Sequence, residues 1–241
     1  MPVPHHPEER ERSRSKRALL AVRSHVQPGS FPLLLAATLL LYVLNGLAAD
    51  SIASAILGEV GRIGVACAGL YVLSANRATL WLGTLVVGLS LTFEARLWGL
   101  DLSVNRVLLD SMMSGFMVWV LVVVLRDVFR RTTNEQDAVI GALCGFLIIL
   151  MVFTRVHALL EALSPGSYHT DGPPLAERSD KALVAVFQYF STVTATTVGF
   201  GDIVPVAPAA RLATGLEAIA GQLYLAVVIA TLVGRVVARR E

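Results

Sequence analysis

Seven consecutive residues, Thr196-Thr197-Val198-Gly199-Phe200-Gly201-Asp202, hold the chemistry of this chain, and they hold it in the backbone. A cation stripped of water needs a cage of oxygens at close spacing. An extended strand supplies one carbonyl per residue when consecutive carbonyls aim the same way. Such aiming requires ordinary and left-handed dihedrals to alternate. Gly199 and Gly201 take left-handed dihedrals at low steric cost, whereas a residue with a Cβ is strained at positive φ. Thr197 adds a hydroxyl at the inner end of the row, and Val198 and Phe200 are expected to point back into surrounding protein. One chain holds one such loop, so a closed cage takes several chains around a common axis.

Other ionisable residues offer less. Arg155, His157 and Glu161 crowd one apolar stretch, where they read either as structural ion pairs or as a proton sensor built from His157 and Glu161. Glu59 with Arg62, and Glu94 with Arg96, have the spacing of local pairs. Ser111, Asp110 and His157 fall on different stretches with no nucleophile motif, no paired carboxylates and no metal-ligand spacing, so an enzyme is not expected. The net charge of +2 and the lack of a basic patch with interleaved aromatics exclude nucleic acid as a partner. Cys67 and Cys144 lie in apolar stretches, as small hydrophobes do.

The elements around the loop belong to a membrane protein. The chain is 55% hydrophobic with a mean hydropathy of +0.66, more apolar than a soluble core requires. A bilayer crossing takes about 20 mostly apolar residues. Stretches near that length run over 31–49, 52–74, 79–97, 104–125, 139–163 and 210–237. The shorter Ala182–Thr194 reads as a re-entrant helix, which must be buried in protein or line a watery cavity. Ser179 or Asp180 is placed to cap it. Basic residues gather in the tail to Ser30, at Arg126, Arg130 and Arg131, and at Arg235, Arg239 and Arg240. The positive-inside rule then puts both termini in the cytoplasm and residues 164–181 outside, the latter as a solvated loop rich in turn formers. The expected order is a cytoplasmic tail (1–30), a four-helix sensor-like region (31–125), a linker (126–138), a pore region (139–237) and a short C-terminus (238–241) with no soluble regulatory domain. No cleaved leader is expected ahead of the first span.

The segment from Tyr189 through Asp202 resembles the pore helix and selectivity filter of potassium channels. That resemblance implies an all-α membrane protein of six transmembrane helices, with the re-entrant helix and filter between the fifth and sixth, assembled as a homotetramer. It implies potassium bound by Thr197, Val198, Gly199 and Phe200 with Gly201 completing the filter, and support from Tyr189, Phe190, Val193, Thr196 and Asp202. Phe200 stands where the commonest version has Tyr, and Val193 where some bacterial relatives carry a Glu. Tyr189 is a candidate hydrogen-bond partner for Asp202. The resemblance places a glycine hinge at Gly221, with close helix packing as the equal alternative reading, and a pore-lining stripe at Leu225, Ile229 and Val233. The implied protein is a multi-pass channel of a bacterial inner membrane in contact with lipid, passing K+ without a cofactor. Its fourth span carries only Asp110 between Val107 and Leu125, so strong voltage dependence is not expected. A weakly selective cation channel and a non-conducting structural or regulatory subunit are the competing readings.

Overall fold

The computed structural model of the chain describes residues 30–47, 52–74, 102–130, 135–172 and 178–238, together with parts of 77–88 and residues 174 and 175. Six labelled helices and two short strands follow one another as α1 (Phe31–Gly46), α2 (Ile52–Leu73), α3 (Leu102–Arg130), α4 (Glu135–Leu163), β1 (Tyr168–Thr170), α5 (Asp180–Ala195), β2 (Ile203–Pro205) and α6 (Pro208–Ala238). The expected tail and most of the expected third span lie outside the described residues, as do the side chains of Glu59, Asp110, Glu94 and Arg96. The residues described between 77 and 88 are helical.

Two helix starts have a clear local cause. Pro32 in the first turn of α1 lacks only an amide that the helix would have left unpaired. Ser179 lies in extended conformation before α5 and accepts from the Ala182 amide at 3.3 Å, which settles the cap between Ser179 and Asp180. At 29 residues, α4 is about 43 Å long at 1.5 Å per residue, more than the hydrocarbon core demands. Within it Gln136–Leu163 is long and apolar enough to cross a membrane. Among the described residues, Phe31–Gly46, Val60–Leu73 and Ala182–Ala195 form shorter apolar helices.

Helix ends extend past the apolar stretches that announced them. α3 runs on to Arg130 and α4 begins at Glu135, so residues 126–130 and 135–138 of the expected linker are helical. With so short an interval, α3 and α4 pack along each other, and α1 packs on both α2 and α4. One apolar core joins these four helices through residues such as Leu34, Val65, Phe116, Val124 and Ile148. A second cluster, around Tyr168, Phe187, Phe190 and Ile203, ties the segment after α4 to α5 and the start of α6.

The segment after α4 is not merely a solvated loop. β1 pairs antiparallel with β2, matching Tyr168 with Pro205, His169 with Val204 and Thr170 with Ile203. The Val206 and Ala207 amides both donate to Ser167 O, at 2.9 and 3.2 Å. This small sheet, set in a mostly helical protein, clamps the chain just after Asp202 to the chain just after α4.

Candidate functional site

α5 delivers the seven-residue turn. Its last carbonyls lack intrahelical partners, and the chain doubles back to use them. Thr196 N donates to Thr192 O at 3.1 Å and Thr197 N to Thr194 O at 3.0 Å. The amides of Val198 and Gly199 then both donate to Val193 O, at 2.8 and 3.1 Å. Thr196 Oγ1 adds a bond to Thr192 O at 2.6 Å. A helix end also carries the negative pole of the helix dipole, which favours a cation beside it.

Beyond that anchor the backbone alternates. Thr197, Gly199 and Gly201 have φ of +60°, +52° and +81°, and Val198 and Phe200 between them are not left-handed. The two glycines match the expectation from sequence. Thr197 does not, since a β-branched residue at positive φ is an outlier that the residue types alone do not announce. Residues 197–202 are exposed on the single subunit, Val198 and Phe200 included, and nothing lies within 4 Å of a Cβ built on Gly199 or Gly201.

Supporting contacts come from three sides. The Tyr189 and Phe200 rings stack at 6.3 Å and 5°, and desolvation, with Asp202 acting in the same direction, pushes the Tyr189 phenol up. Phe190 and Val193 are buried on the far side of α5. From α1, Tyr42 meets Thr192 Oγ1 at 2.8 Å. Because Thr192 spends its hydroxyl hydrogen on Gln188 O, Tyr42 is the donor there. Gln188 Nε2 returns a bond to Tyr42 O at 2.8 Å.

Behind α5 lies a polar network that the sequence reading did not assemble. His157 is fully buried and pairs with Glu217 of α6, Nε2 to Oε2 at 2.8 Å, not with Glu161 as expected. Its Nδ1 lies 2.6 Å from the Tyr168 hydroxyl. The other Glu217 oxygen is hydrogen-bonded to Ser191 of α5. Glu161 instead takes the Gly166 and Tyr168 amides, at 2.8 and 3.2 Å, and so shapes the turn after α4. Burial pushes the Tyr168 phenol well above its ordinary range, and the carboxylates of Glu217 and Glu161 push the same way. A signal for Glu217 was present in its type, a lone acid in an apolar span, because such a group needs a partner.

On α6, Gly221 is buried, and a Cβ there would lie 2.5 Å from Ala195 O and 3.0 Å from Ala195 Cα. Close packing is therefore what the structure places at Gly221. Leu225 is exposed, and the side chains of Ile229 and Val233 lie outside the described residues. Leu212, Leu216, Ile219, Leu223 and Val227 form a further exposed apolar stripe. Among the described residues no cluster of His, Cys, Asp and Glu could hold a metal ion.

No curated protein and no solved structure matches the chain. Residues 180–238, which carry α5, the turn, β2 and α6, match a family described as ion channel. With a helix long and apolar enough to cross a bilayer, that match supports an ion channel set in a membrane.

Proposed function

We propose that this chain is one subunit of a homotetrameric, potassium-selective channel of a bacterial inner membrane, passing K+ passively and with little or no voltage dependence. One observation carries the reading: left-handed dihedrals at Thr197, Gly199 and Gly201 directly after a helix whose Val193 carbonyl holds two of the turn's amides. That alternation is what a row of like-aimed carbonyls needs, and four such rows make the cage. Thr197, Val198, Gly199 and Phe200 bind the ion with Gly201 completing the row, and no cofactor takes part. Tyr189, Phe190, Val193, Thr196 and Asp202 support the filter. Leu225, Ile229 and Val233 line the inner pore, and Gly221, packed on Ala195, is also the candidate hinge.

Two features favour this reading over its rivals. The Thr-Val-Gly-Phe-Gly stretch is intact, which favours potassium over a weakly selective pore. The exposed stripe from Leu212 to Val227 offers neighbouring copies an apolar face. Both termini are proposed to be cytoplasmic.

The test is the purified chain alone in liposomes, with reversal potential read in a potassium/sodium gradient and barium added as a blocker. Barium-sensitive current reversing at the potassium equilibrium potential supports the proposal. Reversal near zero makes the pore a weakly selective cation channel. A tetramer that carries no current is a structural or regulatory subunit.

A further inference from the structure

Tyr42 of α1 holds α5 at two points. Its hydroxyl donates to Thr192 Oγ1 at 2.8 Å, and its backbone carbonyl accepts from Gln188 Nε2 at 2.8 Å. Thr192 Oγ1 in turn donates to Gln188 O at 2.7 Å, so three residues close a ring between two helices that lie about 150 residues apart in the chain. Gln188 is buried, and Tyr42 and Thr192 are partly so.

The spacing of the two points decides what the ring can do. Gln188 and Thr192 are four residues apart, which puts them on one face of α5 and about 6 Å apart along its axis. A single contact would leave α5 free to swivel about it. Two contacts from one residue, a turn apart, fix both the height of α5 against α1 and its rotation about its own axis.

That rotation aims the turn. Thr192 O takes the Thr196 amide at 3.1 Å and Thr196 Oγ1 at 2.6 Å, and the next carbonyl, Val193 O, takes the amides of Val198 and Gly199. The left-handed residues Thr197, Gly199 and Gly201 follow directly. Residues 197–202 are exposed on the single subunit, so their aim is set at the two ends, by α5 before them and by the β1–β2 pair after them. A row of carbonyls discriminates between cations by the number and placement of its oxygens. A change in its aim is therefore read as a change in which ion it prefers, and not only in how many copies fold.

We propose that Tyr42 is a positioning residue for the carbonyl row of residues 197–201, setting its ion preference through Thr192 and Gln188. The proposal rests on the channel reading and adds to it a selectivity determinant on α1, outside residues 180–238 that match the ion channel family.

The experiment uses the full chain in liposomes. It reads the potassium-over-sodium permeability ratio from the reversal potential and the barium concentration that gives half block, neither of which depends on how many copies assemble. Tyr42→Phe removes one point of the ring and leaves the Gln188 bond to the Tyr42 carbonyl, so α5 stays attached but able to rotate. Both the permeability ratio and the barium affinity are expected to fall about two- to tenfold, the worth of one neutral hydrogen bond. Thr192→Val, which keeps the shape and loses the hydroxyl, is expected to act likewise, whereas Thr192→Ser keeps the hydroxyl and is expected to retain wild-type values. The double variant Y42F/T192V is expected to be no worse than T192V, because both changes break the same bond between helices. Tyr71→Phe on α2, an exposed tyrosine, is the control and is expected to match wild type.

Y42F with wild-type permeability ratio and wild-type barium block overturns the proposal, and so does a fall in total flux alone with both values unchanged, which is what a merely structural contact would give. Should Y42F fail to assemble, T192V against T192S decides: loss in the first and retention in the second support the proposal, and equal behaviour overturns it. These outcomes leave the channel reading intact. A wild-type chain without barium-sensitive, potassium-selective current overturns both.

Discussion

Replacing Gly221 with alanine sets two opposed effects against each other on one helix. Alanine favours a helix over glycine by about 1 kcal/mol. Against this, the new methyl would lie 2.5 Å from Ala195 O, 3.0 Å from Ala195 Cα and 3.1 Å from Ala195 C. All three are backbone atoms at the end of α5, so no side chain can swing aside. Overpacking costs about 1–3 kcal/mol, and the upper part of that range applies where backbone must move. The net effect is a loss of about 1–2 kcal/mol per subunit. For a chain of this size each 1 kcal/mol lowers an apparent Tm by about 2–4 °C, so a fall of about 2–8 °C is expected. Intrinsic tryptophan fluorescence during a thermal ramp in detergent reads it. Gly64→Ala on α2 and Gly115→Ala on α3 are the controls, since nothing lies within 4 Å of a Cβ at either. They are expected to match wild type or exceed it by up to about 1 kcal/mol. If Gly221→Ala behaves like these controls, the packing against Ala195 is wrong and a hinge is the better account of that glycine.

Gly199→Ala and Gly201→Ala test the alternating backbone. Neither position has a neighbour for the new Cβ to strike, so the effect is the strain of positive φ, about 1–2 kcal/mol each, and potassium flux from liposomes is expected to vanish while assembly persists. Tyr189→Phe removes the hydroxyl on which Asp202 acts but leaves the stack on Phe200, so sustained current is expected to decay faster, and unchanged current and Tm would refute a role for that hydroxyl. Tyr168 gives a spectroscopic prediction: its phenol is favoured neutral in the fold, so the stability it contributes is fully present below about pH 10 and is lost only as pH rises through its raised folded value. The phenolate absorbance that appears in the folded protein between about pH 9 and 11 is therefore expected to be the same in Tyr168→Phe as in wild type; a smaller rise in the variant would contradict the burial.

Local signals in the sequence led directly to the site, and contacts across long separations did not. The short helix before the turn was legible because a thirteen-residue apolar run between a capping serine and the Gly-x-Gly pair leaves few alternatives, and the helix spans Asp180–Ala195. The glycines announced positive φ because no other residue takes it cheaply. Thr197 carried no such mark. β1 and β2 are three residues each, too short to show a period of two, and they pair across more than thirty residues. His157 had a nearer acid, Glu161, four residues on, which local spacing favours; Glu217 lies sixty residues away and wins because Glu161 is already committed to the amides of the turn. Tyr42 and Thr192 are 150 residues apart, and no pattern in either segment points to the other.

A backbone that holds three left-handed residues in five, one of them β-branched, persists only where its surroundings over-determine it. The strain at Thr197 is about 1–3 kcal/mol. The turn has two amides on Val193 O, each contributing about 1 kcal/mol. These bonds nearly match the strain, and they hold only if α5 itself stays fixed. α5 is fixed from opposite sides, by Tyr42 and Gln188 toward α1 and by Ser191 toward Glu217 of α6. The first grip is made of neutral hydrogen bonds, whereas the second runs through the buried carboxyl of Glu217. Loss of either grip leaves α5 held on one side alone, and the strained turn at Thr197 is the place where that loss is felt.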